Sequence, residues 1–244
     1  RAPLVFLHGF GSTKEDYGDV ALEPALDGHG VLAYDAPGCG ESTCDDLTAI
    51  SLPFLVATAQ AALAAAGIDR FHLVGHSLGG LTALLLADAE PDRVLSFADI
   101  EGNLAPEDCF LSRQIVTHPT ADGASFLDAF AERTRRAPDR ASALYAASLR
   151  HKVRAGAVGP IFRSMVERSD EGDLLRRFLA LPCPRLFMHG DANAHLSYLP
   201  TLAAHGVEVA AVPRCGHFPM YSNPAAMWAR IAALVARAET ASQR

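Results

Sequence analysis

The stretch Phe71-His72-Leu73-Val74-Gly75-His76-Ser77-Leu78-Gly79-Gly80-Leu81-Thr82-Ala83-Leu84-Leu85-Leu86-Ala87 decides how the rest of the chain is read. It is an apolar strand-like run, a Gly-x-Ser-x-Gly turn and a helix-like run, in that order. Gly75 and Gly79 flank Ser77 because a sharp strand-to-helix turn brings backbone and helix too close for a Cβ. Such a turn lifts the serine hydroxyl to the C-terminal edge of a sheet, with a helix N-terminus beneath it. The N–H groups and dipole of that terminus favour a developing negative charge. Ser77 is therefore the candidate nucleophile.

Working outward, the same rhythm recurs. Leu4-Val5-Phe6-Leu7 is a continuous apolar run of the kind buried on both faces of a parallel sheet, and it ends in the turn His8-Gly9-Phe10-Gly11. Ser12-Thr13-Lys14-Glu15 has the pattern of a capping box and predicts a helix ending near Asp27-Gly28-His29-Gly30. Val31–Tyr34 is the next strand, closed by the turn-rich loop Asp35–Ser42. Ile50 to Ala66 has helical spacing and stops at Gly67. After the serine turn and its helix, which stops at Glu90-Pro91, Val94–Ile100 is a further strand. Strand and helix alternating at this spacing predict βαβ units and a mostly parallel, doubly wound α/β sheet.

The rhythm then breaks. From Asn103 to about Leu181 no strand-like run occurs, only helix-like segments at Ala124–Arg136, Arg140–Lys152, Pro160–Ser169 and Asp173–Ala180. Their apolar faces carry Phe126, Phe130, Leu144, Ile161, Phe162, Met165 and Phe178, which predicts a helical insertion laid over the sheet edge and not a second core. Arg185–Met188 restores the strand pattern and ends in His189-Gly190-Asp191. Tyr198–His205 reads as a helix, Val207–Val212 as the last strand and Gly216-His217-Phe218 as a loop. Asn223-Pro224 opens a final helix expected to end near Ala238, with Thr240–Arg244 as a frayed tail.

Composition excludes several classes of function. A net charge of −7 argues against nucleic acid or an anionic membrane surface as partner. No run of about 18 apolar residues exists to span a membrane. Arg1-Ala2-Pro3 leads straight into a strand, so the expected location is cytoplasmic. The cysteines, Cys39, Cys44, Cys109, Cys183 and Cys215, form no CxxC pair and read as reduced, structural thiols. The histidines show neither HxH nor HxxxH spacing, so no metal site and no cofactor are expected, and a chelator should leave activity unchanged.

Taken together, His8-Gly9-Phe10-Gly11, the Asp35–Ser42 loop, Gly75–Gly80, His189-Gly190-Asp191 and Gly216-His217-Phe218-Pro219 stand in an order that resembles the α/β-hydrolase superfamily over nearly the whole chain. The pair of hairpin strands that usually precedes the first strand in that family has no counterpart before Leu4. The resemblance implies an α/β-hydrolase core at 1–102 and 183–244, with the helical stretch 103–182 as a lid inserted after the family's sixth strand. It implies Ser77 as nucleophile and His217 as base, in the chain order Ser…acid…His. The oxyanion hole would be the backbone N–H groups of Leu78 and Phe10, while His8 and His76 match positions that shape the site.

The acid departs from the commonest pattern. Its usual position, three residues after the glycine of the His-Gly turn, is Asn193, which cannot carry the charge that steadies an imidazolium. Asp191 lies two residues early. The family's other location is the end of the sixth strand, which here reads Ala98-Asp99-Ile100-Glu101-Gly102. Alternation puts Asp99 and Glu101 on one face. Glu101 is nearer the C-terminal edge, where catalytic groups emerge, and it matches the glutamate of haloalkane dehalogenases and zearalenone-type lactonases. The expected triad is Ser77–His217–Glu101, with Asp191 as the fallback acid.

A serine at the turn, where dehalogenases need an aspartate, points to acyl transfer to water. The expected substrate is a medium-sized carboxylic ester or lactone held in a mostly apolar pocket. Phe10, His76, Phe126, Phe130, Phe162, Met165, Phe218 and Tyr221 are the expected substrate-contacting side chains. The same fold also supports C–C bond hydrolysis or lyase chemistry, and small-molecule receptors in signalling. The expected assembly is a monomer or homodimer.

Overall fold

The structure is a computed structural model and describes residues 1–118, 120 and 122–242. Six strands form one sheet: β1 (Leu4–Leu7), β2 (Val31–Ala33), β3 (Phe71–His76), β4 (Val94–Ile100), β5 (Arg185–Gly190) and β6 (Glu208–Val212). Their order is β2-β1-β3-β4-β5-β6, and every neighbouring pair is parallel. Every residue of β1 and β3 is buried, so both faces of the sheet centre are covered. That is why these strands read as unbroken apolar runs and not as an alternation.

The helices are α1 (Leu52–Ala65), α2 (Leu78–Ala89), α3 (Gly123–Arg135), α4 (Arg140–Lys152), α5 (Ala155–Glu171), α6 (Leu174–Ala180), α7 (Leu199–Ala204), α8 (Pro219–Ser222) and α9 (Pro224–Ser242). Helix α2 lies against β1, β3 and β4, with α1 behind it, while α9 packs on β4, β5 and β6. Trp228 of α9 stands edge-on to Phe6 of β1 at 5.8 Å between ring centres, and Tyr17 stacks on the same ring at 4.7 Å. Ser51 opens α1, its hydroxyl accepting from Phe54 N–H.

Four local expectations are corrected. The Ser12–Glu15 pattern does not cap an α-helix: Lys14–Leu22 and Pro24–Leu26 are 3₁₀ turns, and Thr13 makes no side-chain cap bond. The Lys14 N–H is instead bound by the Asp35 carboxylate at 2.9 Å. Helix α5 begins before Pro160 and runs through it. A proline inside a helix costs about 3 kcal/mol. Val158, Ile161, Phe162 and Met165 form one buried face across that point, and each buried side chain of this size contributes about 1.5–3 kcal/mol. Leu144 is 47% exposed, because α4 turns Ala141, Tyr145, Ala146 and Leu149 inward instead. Helix α9 continues past Ala238 to Ser242, and residues 243–244 of the expected tail lie outside the described residues.

The helical stretch between β4 and β5 is not uniform. Helix α3 packs against α4 and α5, and α5 reaches down to α1, whereas α6 sits on α2. Phe178 of α6 faces Phe97 of β4 and Phe187 of β5, at 5.7 and 6.4 Å between ring centres. Phe178 is thus part of the sheet's own core. A single hydrophobic cluster includes β-strand residues together with Phe126, Phe162 and Met165. Among the described residues, no helix is long and apolar enough to cross a membrane.

Candidate active site

Ser77 sits one residue beyond β3, and its N–H still bonds the Ile100 carbonyl of β4 at 2.9 Å. Its φ of 53° lies in the left-handed region, which a residue with a Cβ occupies only under constraint. The constraint is visible in the neighbouring glycines. A Cβ on Gly75 would meet the backbone of Gly79 and Gly80, and one on Gly79 would collide with the carbonyl oxygens of Leu7 and His8. Gly79→Ala is therefore expected to destabilise the fold by at least about 3 kcal/mol. An unchanged denaturation midpoint would show that the turn tolerates a wider spacing.

Glu101 repeats the arrangement one strand away. Its N–H bonds the Met188 carbonyl of β5 at 2.9 Å, and its φ is 50°. The carboxylate is buried and reaches His217, with Oε2 2.6 Å from Nδ1. Asn193 donates its amide to both carboxylate oxygens at 2.8 Å, and the Gly190 N–H donates to Oε1 at 2.7 Å. Burial works to raise the Glu101 carboxyl, but the bond to and charge of His217, with the Asn193 and Gly190 donors, hold it below the usual range.

His217 is fixed from several sides. Phe218 and Phe110 stand edge-on to its ring at 5.2 and 5.8 Å between centres. His76 Nε2–H donates to its carbonyl oxygen at 2.8 Å. With Nδ1 engaged by Glu101, Nε2 is the nitrogen available to take a proton.

Asp191 does not reach the imidazole; it accepts from the N–H groups of Arg214 and Cys215 at 2.8 and 3.0 Å. It thereby shapes the turn leading to His217. Asp99 is fully buried and bonds the Gly102 N–H at 2.8 Å, and burial pushes its carboxyl well above the carboxylate range. The facing of β4 left Asp99 and Glu101 equivalent. What separates them is that the chain turns at Glu101 while Asp99 stays inside the sheet layer.

The Phe10 turn is held by two tethers. Tyr145 of α4 donates its hydroxyl to the Phe10 carbonyl at 2.8 Å. Asp35 binds the N–H and the ammonium of Lys14, each at 2.9 Å, and the Glu41 N–H at 2.9 Å. Burial opposes ionisation of Asp35, but these donors hold its carboxyl below the usual range. His8 links the first turn to the second loop: its Nε2 accepts from the Ala36 N–H at 2.8 Å, and burial lowers its pKa.

Ser77, Glu101 and His217 open onto one cavity of about 690 Å³. Of the expected pocket residues, Phe10, Phe130, Phe162, Met165 and Phe218 line it. Three do not. His76 is buried with its pKa pushed down to about 3 by burial, and it serves the His217 loop from behind. Phe126 is buried between Phe162 and Phe130 inside the helical layer. Tyr221 points its hydroxyl away to Asp16, at 2.7 Å.

The sequence reading missed Tyr145, Phe110, Leu196 and an acidic pair, Glu107 and Asp108, which line the cavity together with Asn193, read in the sequence only as a position without its acid. Asp108 accepts from Tyr198 Oη and from the Leu104 and Ala105 N–H groups, and burial pushes its carboxyl up to about 6. Tyr145 was legible in principle, since it lies with Leu149 on the buried face of a predicted helix. Nothing in its own segment pointed to Phe10. All five cysteines are free, and burial raises Cys39 to about 12 and Cys183 and Cys215 to about 11, as expected of unreactive thiols. The one grouping of ligating side chains close enough to hold a metal ion, among the described residues, lies at the opposite end of the sheet.

Comparison with known proteins agrees with this architecture. A model of the "Alpha/beta hydrolase family" matches residues 4–230. A proline iminopeptidase from Lactobacillus delbrueckii subsp. bulgaricus is 37% identical over 101 residues, 39% of this chain and 34% of that protein. The matched region spans only about a quarter to a third of the length of the first such relatives. A carboxylesterase structure from Nitrososphaera gargenis superposes with a TM-score of 0.78 at 16% identity, over 98% of this chain and 91% of that one. The N-acyl homoserine lactonase AidH gives 0.75 at 17% identity, over 97% and 89%. At such identities the two structures establish a shared fold.

Proposed function

The chain belongs to the alpha/beta hydrolase family, and from that premise we propose that it is a serine hydrolase cleaving a carboxylic ester or lactone through an acyl-enzyme. The observation that carries the reading is the 2.6 Å contact between His217 Nδ1 and Glu101 Oε2 on the cavity that Ser77 also lines. Glu101 fixes the imidazole with its Nδ1 proton inward, so Nε2 takes the Ser77 proton as Oγ attacks the ester carbonyl. The Leu78 and Phe10 N–H groups hold the oxyanion of the tetrahedral intermediate. His217 then returns the proton to the leaving alkoxide, and the acyl group stays on Ser77. A water that gives its proton to His217 attacks the acyl carbon, and collapse of the second intermediate releases the acid and Ser77.

The helices α3 to α5 act as the lid in this reading. Phe130, Phe162 and Met165 present an apolar wall to the acyl or alcohol part of a small-molecule substrate. Glu107 and Asp108 on the cavity wall favour one competing reading, in which the cavity admits a substrate with a positively charged group, and a proline iminopeptidase is among the relatives.

Incubating the purified protein with a fluorophosphonate probe, alongside short p-nitrophenyl esters and prolyl p-nitroanilide, tests the proposal. Covalent labelling with ester turnover is the expected result. Absence of both labelling and ester turnover would overturn it, and preferred cleavage of the anilide would move the substrate class to amides.

A further inference from the structure

At the end of the sheet away from Ser77, four remote segments converge: residues 1–3, the turn before β2, the first residues of β3 and the end of α9. They bring together His29, His72 and Glu239, whose ligating atoms all lie within 4.8 Å of one another. Both imidazoles are anchored through Nδ1. His29 Nδ1 lies 2.6 Å from the Ala2 carbonyl oxygen, and His72 Nδ1 lies 2.9 Å from Ser96 Oγ on β4. A carbonyl oxygen only accepts, so His29 carries its proton on Nδ1 and its lone pair on Nε2.

Both Nε2 atoms are buried and make no hydrogen bond among the described residues. The His29 side chain is 0% exposed, and His72 is 1% exposed. Buried polar atoms are rarely left without a partner, and here two of them lie beside one carboxylate, with Glu239 Oε1 3.7 Å from His29 Nε2. Two imidazoles, each held by a hydrogen bond at Nδ1, beside one carboxylate are the donor set of a transition-metal ion.

We propose that His29, His72 and Glu239 form a binding site for a divalent transition-metal ion of the zinc type, with two imidazole nitrogens and one carboxylate oxygen as ligands. Metal–nitrogen bonds of about 2.0–2.1 Å require the three ligand atoms to draw in by about 1–1.5 Å. The carboxylate sits near the end of α9, on a side chain with three torsions, and can supply most of that movement. Arg1 is the built-in competitor: its Nη2 and Nε bond Glu239 at 2.6 and 3.2 Å. Each carboxylate oxygen keeps a second lone pair, so the guanidinium weakens the site without closing it.

The site's role is structural. β3 separates His72 from Ser77 by about 16 Å at about 3.3 Å per residue, so the ion is too far from the serine to touch a substrate there. It would staple the turn before β2 and the C-terminal helix to the sheet. Spacing along the chain could not reveal it, because each ligand comes from a different segment.

The test titrates metal-stripped protein with Zn²⁺ and Co²⁺ by calorimetry and follows thermal unfolding. Expected are one ion per chain and a Co²⁺ spectrum with ligand-field bands but no thiolate charge-transfer band. At a hundredfold excess over Kd, the midpoint should rise by about 5–10 °C. His29→Gln and Glu239→Gln should remove the rise. Ser96→Ala, which frees the His72 ring, should weaken binding by about 10–100-fold, and Arg1→Gln should tighten it. Chelation should leave turnover at 25 °C unchanged. No stoichiometric binding, or binding that survives His29→Gln and Glu239→Gln, would overturn the assignment and leave an Arg1–Glu239 ion pair beside two buried histidines. The opposite signs expected for Ser96→Ala and Arg1→Gln keep the test decisive if a ligand variant fails to fold.

Discussion

Ser77→Ala is expected to abolish fluorophosphonate labelling and to lower kcat on a p-nitrophenyl ester by about 10⁶-fold, the scale of losing a triad nucleophile. The unfolding midpoint should hardly move. Alanine keeps the Cβ, so the positive φ at this position is no more strained than in the parent. The collisions that Gly75 and Gly79 avoid are also untouched. The residual rate would come from the oxyanion donors and from binding alone. Activity within tenfold of the parent would mean that Ser77 is not the nucleophile, and the cavity would have to work by another route.

Glu101→Gln is expected to lower kcat by about 10⁴-fold, with little change in fold. The reason lies in the bonds around the carboxylate. Gly190 N–H is a fixed backbone donor aimed at Oε1, whereas the Asn193 amide, which reaches both oxygens, can turn its own oxygen toward a new NH₂, so the Oε1 position must remain an oxygen. The new NH₂ is then forced to the Oε2 position, facing His217 Nδ1. Two donors cannot face each other, so the imidazole must move its proton to Nε2. In that tautomer it cannot accept the Ser77 proton. Asp191→Asn keeps an acceptor in the turn to Arg214 and Cys215, and it should change kcat by less than about tenfold. Steady-state kinetics of the two variants side by side decide the acid. A large loss in Asp191→Asn with a small one in Glu101→Gln would reverse the assignment.

Much of the site could be read along the chain because its parts are short turns with strict demands on residue type. Gly75 and Gly79 are required by backbone contacts, and the substitution of Asn for a carboxylate at position 193 was itself informative. Asn193 keeps a place beside the site by donating to the Glu101 carboxylate. The pocket walls were legible only in part. Phe126 and Phe162 lie on helical faces that look alike in sequence, yet only Phe162 faces the cavity. Which side of a helix between β4 and β5 faces inward depends on helix-to-helix packing, and periodicity within one helix carries no information about that.

The resemblance to the α/β-hydrolase superfamily supplied the candidate partners His217 and Glu101, whereas the sequence by itself determined the order of the six parallel strands' segments and the sharp turn at Ser77. Those follow from local rules: a strand buried on both faces must be apolar throughout, and a tight turn must have glycine where backbones touch. Only the tertiary structure decided that Glu101 and not Asp191 reaches the imidazole, that Tyr145 holds the Phe10 turn and that His29, His72 and Glu239 meet. Each of these is a distance between segments far apart in the chain, and side-chain reach of a few ångströms is set by packing.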